Sequence, residues 1–292
     1  MPPEYRAIFE EWSLPIFLTV AVVLCTVVYT CGWFAISRTR PALFPAWRLI
    51  AFLSGLAILW LSIGSPLDGF ADAALSAHMI EHLLLMSFVP PLLLLGFPLV
   101  PLLRGLPRKL AIALLGPLLR LGWLRRLSHF LTLPVVAWLA MNLAFLGWHV
   151  PTAYNFALEH EHWHEFEHIC FLGSSILFWY PVIRPWPTTS LHPGWYMLIY
   201  LIAADIVNTM LSAFLAFCDR PVYKYYLTQP NPFHLSPLSD QRLGAVVMWV
   251  IGSLFFLVPA AFITIRLLQN QTRFSQVALA REDGNRLGIG RS

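Results

Sequence analysis

The sequence predicts an all-α integral membrane protein. It would be a bundle of seven transmembrane helices with its N-terminus outside and an amphipathic interfacial helix in the third, cytoplasmic inter-span loop. Three observations carry this. Of 292 residues, 58% are hydrophobic and only 12% are charged, with mean hydropathy +0.66; a soluble domain holds about 25% charged residues. The apolar residues gather into unbroken runs of about 20, the length a helix needs to cross ~30 Å of hydrocarbon, rather than into alternating strands of about ten. The basic residues fall mainly into alternate loops.

The first run, 13–36, follows an acidic opening, MPPEYRAIFEEW. A secretory signal opens with basic residues and ends at a small-residue cleavage site. Here Arg38 and Arg40 come after the apolar run, so an uncleaved first span is expected. Spans two and three are expected at 46–65 and 74–96. The next stretch, 107–127, is apolar but interrupted by Arg108, Lys109, Arg120, Arg125 and Arg126. That pattern predicts a helix lying on the membrane surface, with a short or re-entrant eighth span as the alternative. Spans four to seven are expected at 130–150, 163–183, 195–217 and 241–268. This gives one bundle over 1–270 and a polar cytoplasmic tail over 271–292, without a soluble domain.

Positive charge orients the bundle. Arg38, Arg40 and Arg48 lie in the loop between spans one and two and at the start of span two; Arg104 joins the five basic residues of 107–127; Arg184 follows span five; five arginines lie from Arg266 onward. Fifteen of nineteen basic residues thus share one side, against Arg6, Arg220, Lys224 and Arg242 on the other. The first side is cytoplasmic by the positive-inside rule. Acids such as Asp68, Asp72, Glu161 and Asp240 collect on the outer side. The net charge of +4 therefore reflects topology, and membrane lipid, not nucleic acid, is the expected surrounding partner.

Other classes are excluded by what is missing. The four cysteines form no C-x-x-C, so neither a disulfide framework nor a thioredoxin-like site is indicated. Both lysines, Lys109 and Lys224, lie outside the spans, which rules out a retinal Schiff base within the membrane. Glycine signatures of nucleotide binding are absent.

The histidines are informative. Eight of the ten fall on the outer side or at outer helix ends, all but His129 and His192. Residues 78–82 read HMIEH and residues 164–168 read HEFEH, so the pattern H-x-x-E-H occurs twice. Positions i and i+4 share a helix face. His78 and His82 therefore project together, with Met86 continuing their stripe, and His164 and His168 do likewise, with His160 one turn earlier if the helix starts that soon. His149 ends span four at similar depth. Imidazole is the commonest metal ligand, thioether sulfur favours Cu(I), and an ionisable residue within a span points to function. Four imidazoles facing one another suit copper, zinc or haem iron. Glu81 and Glu167 precede the second histidine of each pair. They read either as acceptors that tune the imidazoles or, as in inverzincin metalloproteases, as a catalytic base.

Span six carries a polar stripe of Asp205, Asn208, Thr209 and Ser212. Asp205 is read as a ligand or relay, or as an interhelical hydrogen-bonding group. Met79, Met210 and Met248 are expected to be packing residues.

The segments SPLDGFADAALSAHMIEHLLLM, PPLLLLGFP, WHVPTAYNFALEHEHWHEFEHICFLGSSILFWYPV and SPLSDQRLGAVVMW together resemble the CtaG family of multi-span bacterial membrane proteins. The resemblance covers about residues 45 to 265. The family is linked to assembly of caa-type cytochrome c oxidase, and is distinct from the single-span copper chaperone sometimes given the same name. The resemblance implies a role in oxidase maturation at the bacterial cytoplasmic membrane. It implies copper handling at the outer face, with oxidase subunits or other copper-handling proteins as partners. The family's histidine motifs fall here on His78, His82, His149, His164 and His168.

Four readings follow. The first is a non-enzymatic copper-binding assembly factor, with Glu81, Glu167, Met86 and Asp205 in supporting positions. The others are a b-type haem protein with one axial histidine from each of spans three and five, an intramembrane H-x-x-E-H metalloprotease, and a metal-free scaffold.

Overall fold

A computed structural model describes residues 12–187 and 194–286, and every regular element among them is helical. Helix α1 (Ile16–Ser37) and helix α2 (Ala46–Gly64) form the first two spans. Both turn large apolar side chains outward, such as Phe17, Leu24 and Ile50, as a helix in lipid does. A short helix α3 (Leu67–Ala73) then leads into the third span.

That third span is not a uniform helix. It comprises α4 (Leu75–Leu83), a π-helical turn at Leu84–Phe88, and α5 (Val89–Leu95). The sequence gives the reason. Pro90 and Pro91 lack N–H donors, so the carbonyls of Met86 and Ser87 lose their usual helical partners. The Met86 carbonyl accepts from the Trp179 indole N–H at 3.2 Å instead.

The chain reverses after α5 into α6 (Leu99–Gly105), which lies against α1. Contact here is between backbones. A Cβ on Gly32 would stand 1.8 Å from the Pro101 carbonyl oxygen, and one on Gly105 would stand 1.8 Å from that of Val28. Arg48 and Tyr29 close the turn by donating to the carbonyls of Leu95 and Gly96, at 2.7 and 2.6 Å. A cation at the end of α5 also suits the negative pole of the helix.

Residues 108–131 form two helices, α7 (Arg108–Arg120) and α8 (Gly122–Leu131). Next come α9 (Pro134–Trp148), α10 (Pro151–Leu158), α11 (Glu161–Ile183), α12 (Gly194–Phe217) and α13 (Pro237–Arg286). The fourth expected span departs from expectation. Helix α9 has 15 residues, about 22 Å at 1.5 Å per residue, short of the ~30 Å hydrocarbon core. Pro134 opens it and holds Leu133 extended, so the chain bends 71° between α8 and α9. The described residues hold six helices long and apolar enough to cross a membrane, or seven if the α8–α9 pair is one span. This is a multi-pass membrane protein. Helix α13 runs on past Gln271, where the sequence turns polar; the acidic opening, His192 and the last six residues lie outside the described segments.

The interior is built where α12 lies along α13, α13 crosses α4, and α11 packs on α9 and α5. One buried cluster joins Leu75, Met79, Phe145, Tyr154 and Tyr223; a second joins Met141, Phe178, Trp179, Leu201 and Phe256. The two meet at Met86.

Candidate metal centre

Helix α4 presents His78, Glu81 and His82, and α11 presents His164, Glu167 and His168. Something must fix the height of α4, because its own N-terminal residue, Ala74, offers no cap. Asp240 of α13 does this from across the bundle. Its carboxylate accepts from the amides of Leu75 and Ser76, at 2.7 and 3.3 Å, and from the Ser76 hydroxyl. An acidic cap satisfies the free amides of the first turn and complements their positive pole. His78 follows within one turn of that anchor.

Helix α11 begins at Glu161. His160 is extended and its ring Nδ1 turns back to the Phe156 carbonyl at 2.8 Å, so it does not extend the His164–His168 stripe.

The two motifs meet face to face. Ring centroids are 4.1 Å apart for His78–His82, 4.3 Å for His164–His168, 5.2 Å for His78–His164 and 5.5 Å for His82–His168. The carboxylates cross over. Glu167 Oε1 lies 3.8 Å from His82 Nε2, and Glu81 Oε1 lies 3.5 Å from His168 Nε2. Each motif's glutamate therefore serves the second histidine of the other motif. Ligand atoms of His78, His82, His164 and Glu167 lie within 4.8 Å of one another, as do those of Glu81, His164 and His168.

These groups are buried, and several have no hydrogen-bonding partner. His78, Glu81 and Glu167 are 0% exposed. The nitrogens of His82, the oxygens of Glu167 and the Nε2 atoms of His164 and His168 have none, whereas Glu81 meets the Asp68 carboxyl and His78 the Ala71 backbone. Each such orphan costs about 1–3 kcal/mol, so this many together are tolerable only if something binds them. The donor set is imidazole nitrogen and carboxylate oxygen, which fits a transition-metal ion.

His149 stands beside the cluster, outside both ligand groups, with its ring 6.4 Å from that of His82. Its Nδ1 lies 2.7 Å from the Phe145 carbonyl, which only accepts, so the proton sits on Nδ1 and Nε2 presents a lone pair. Met86 lines a cavity together with His82 and His149. Asp205 is half-buried with Oδ1 unpartnered, and it too lies outside the ligand groups.

Several contributors had no clear sequence signal. Tyr154 and Tyr226 pack beside His78, with Tyr223 behind Tyr154. Tyr154 stacks on Tyr223 at 3.9 Å and lies 5.3 Å from the His78 ring. Tyr223 donates to the His149 carbonyl and Tyr226 to that of Ala71. Asp68 on α3 approaches the Glu81 carboxyl; burial, reinforced by Asp72, lifts its pKa from 3.8 to about 6 against the opposing pull of that Glu81 contact. Asp240 is the one contributor that the SPLSDQRLG segment offered to the eye, as an acid just before an apolar run.

The chain is 29% identical over 288 residues to uncharacterized proteins of Mycobacterium bovis and Mycobacterium tuberculosis, and 26% identical over 293 residues to one of Mycobacterium leprae. Each match takes in 97% of this chain but 42% of the relative, so the chain spans less than half the length of these proteins. No solved structure matches it. A family model described as cytochrome c oxidase caa3 assembly factor matches residues 27–270, which include both H-x-x-E-H motifs, the α10 tyrosine and the Asp240 anchor. The chain belongs to the cytochrome c oxidase caa3 assembly factor (CtaG) family.

Proposed function

We propose that the protein is a copper-binding assembly factor for caa3-type cytochrome c oxidase, holding the metal in the crossed His–Glu cluster. His78, His82, His164 and Glu167 form the ligand set, with Glu81 and His168 completing the opposite wall. By the distribution of its arginines, the cluster faces the outer side of a bacterial cytoplasmic membrane, where partner oxidase subunits or copper-handling proteins would meet it.

One observation carries this reading. A buried set of imidazoles and carboxylates, several without internal partners, is brought together by two separate helices. Family membership supplies the oxidase connection. Copper is favoured over zinc because thioethers lie directly inward of the histidines. The haem alternative fits poorly. The four rings pack against one another at 4.1–5.5 Å, which leaves no slot for a porphyrin between them. Copper, when bound, would satisfy the orphaned nitrogens and oxygens. The residues themselves hold the ion dry and orient its ligands.

The test is metal analysis of purified protein with its absorption spectrum. Wild type is expected to retain copper and to show no Soret band, and His82→Ala with His168→Ala to lose the copper. Equal copper content in both proteins overturns the assignment.

A further inference from the structure

Directly inward of the cluster lies a second chamber. His82 and His149 wall it on the cluster side, and Met79, Met86, Met141 and Met248 line it from α4, the π-helical turn, α9 and α13. Four of the chain's seven methionines thus converge on one cavity, from three spans far apart in the sequence. Methionine is ordinarily a gap-filler that leaves no void behind it. Here the void persists.

Its size and chemistry limit what it takes. The cavity measures about 40 Å³, counted as space open to the centre of a water molecule, where ~10–15 Å³ holds one water. It accommodates an ion with a few waters, and a porphyrin or lipid chain is excluded. Three of its lining residues are nearly fully buried yet have unpartnered polar atoms: His82, His149 through Nε2, and Ser175 through its hydroxyl. Such atoms call for a ligand. The π-helical turn is itself informative, since such turns concentrate at functional sites. Here it carries Met86, whose carbonyl is fixed by Trp179.

We propose that this chamber is a second, thioether-lined site for a soft monovalent cation, Cu(I) or Ag(I), sharing His82 with the outer cluster. Thioether sulfur selects soft d¹⁰ ions, whereas the imidazole–carboxylate cluster also accepts Zn(II). The sulfur site stands on the chamber's own residues. Its role as an inner station that receives the ion from the cluster rests on the cluster being a copper site.

The experiment uses the full chain purified in detergent. X-ray absorption of the Cu(I)-loaded wild type is expected to show sulfur among the nearest scatterers; nitrogen and oxygen alone overturn the proposal. Ag(I) stoichiometry is expected to fall by one equivalent in Met86→Leu with Met141→Leu, with Zn(II) affinity changed by less than about twofold. Unchanged Ag(I) stoichiometry in that variant overturns it. His164→Ala with His168→Ala, which removes no residue lining the chamber, separates the two readings. It is expected to lose Zn(II) and keep the chamber's Ag(I). If it keeps Zn(II), the cluster assignment fails while the Ag(I) count still decides the chamber.

Discussion

Glu81 and Glu167 occupy the same position in their motifs, and each reaches the second histidine of the other helix. A buried carboxylate with no hydrogen bond is unfavourable without a cation beside it. Glu167→Gln is therefore expected to weaken copper binding about 10–100-fold, measured by competition with a chelator. The same change is expected not to lower the melting temperature of metal-free protein, because the amide matches the carboxyl in shape and brings no charge into the interior. Asp68 behaves differently, being outside the spans. Its pKa rises from 3.8 to about 6 in the fold, so the folded state holds this proton more tightly than the unfolded chain does. Its contribution is fully present below about pH 4, is lost as pH rises to about 6, and is constant above that. Asp68→Asn is expected to flatten the fall in melting temperature of the metal-free protein between those values, as thermal scans across pH will show.

Among the elements, α4 is the one whose position is imposed from outside. Its first turn is capped by Asp240 from a helix more than 160 residues further along the chain. Asp240→Ala is expected to destabilise the protein by about 1–2 kcal/mol, as loss of a cap does. It should also lower copper affinity with the ligands intact, since His78 lies in the turn so anchored. Asp240→Asn, whose single carbonyl oxygen replaces only one of the two carboxylate acceptors, is expected to restore part of each loss. Melting temperature and metal titration on the same preparations distinguish this positioning role from a ligand role. Proline explains the two departures from regular helix. Pro90 and Pro91 produce the π-helical turn that carries Met86, and Pro134 shortens α9 and bends the chain before it.

For the whole molecule, the cluster is a junction between two helices that the loops do not join directly. A bound ion tying α4 to α11 stabilises the folded state by mass action, about 2.7 kcal/mol at a hundredfold excess over Kd. Copper addition is expected to raise the melting temperature of wild type, and chelation to reverse it. The His82→Ala, His168→Ala protein should show neither change in the same thermal scans. The chain spans less than half the length of its relatives, and the matched part holds both motifs, their anchor and the chamber.

How much of this the sequence determined follows from what is local. Continuous apolar runs are a one-dimensional property, so helices and approximate spans were legible. The i, i+4 spacing of each H-x-x-E-H motif was legible too, because a helix alone decides which side chains share a face. The tertiary structure decided what depends on adjacency. It brought His78 to His164 and crossed the glutamates, left His149 and Asp205 outside the ligand groups, and gathered Met79, Met86, Met141 and Met248 around one void. Met79 and Met248 read as packing residues in the sequence because a thioether in an apolar helix looks the same whether it faces a neighbour or a cavity. Only the packing of four chain segments against one another creates the difference.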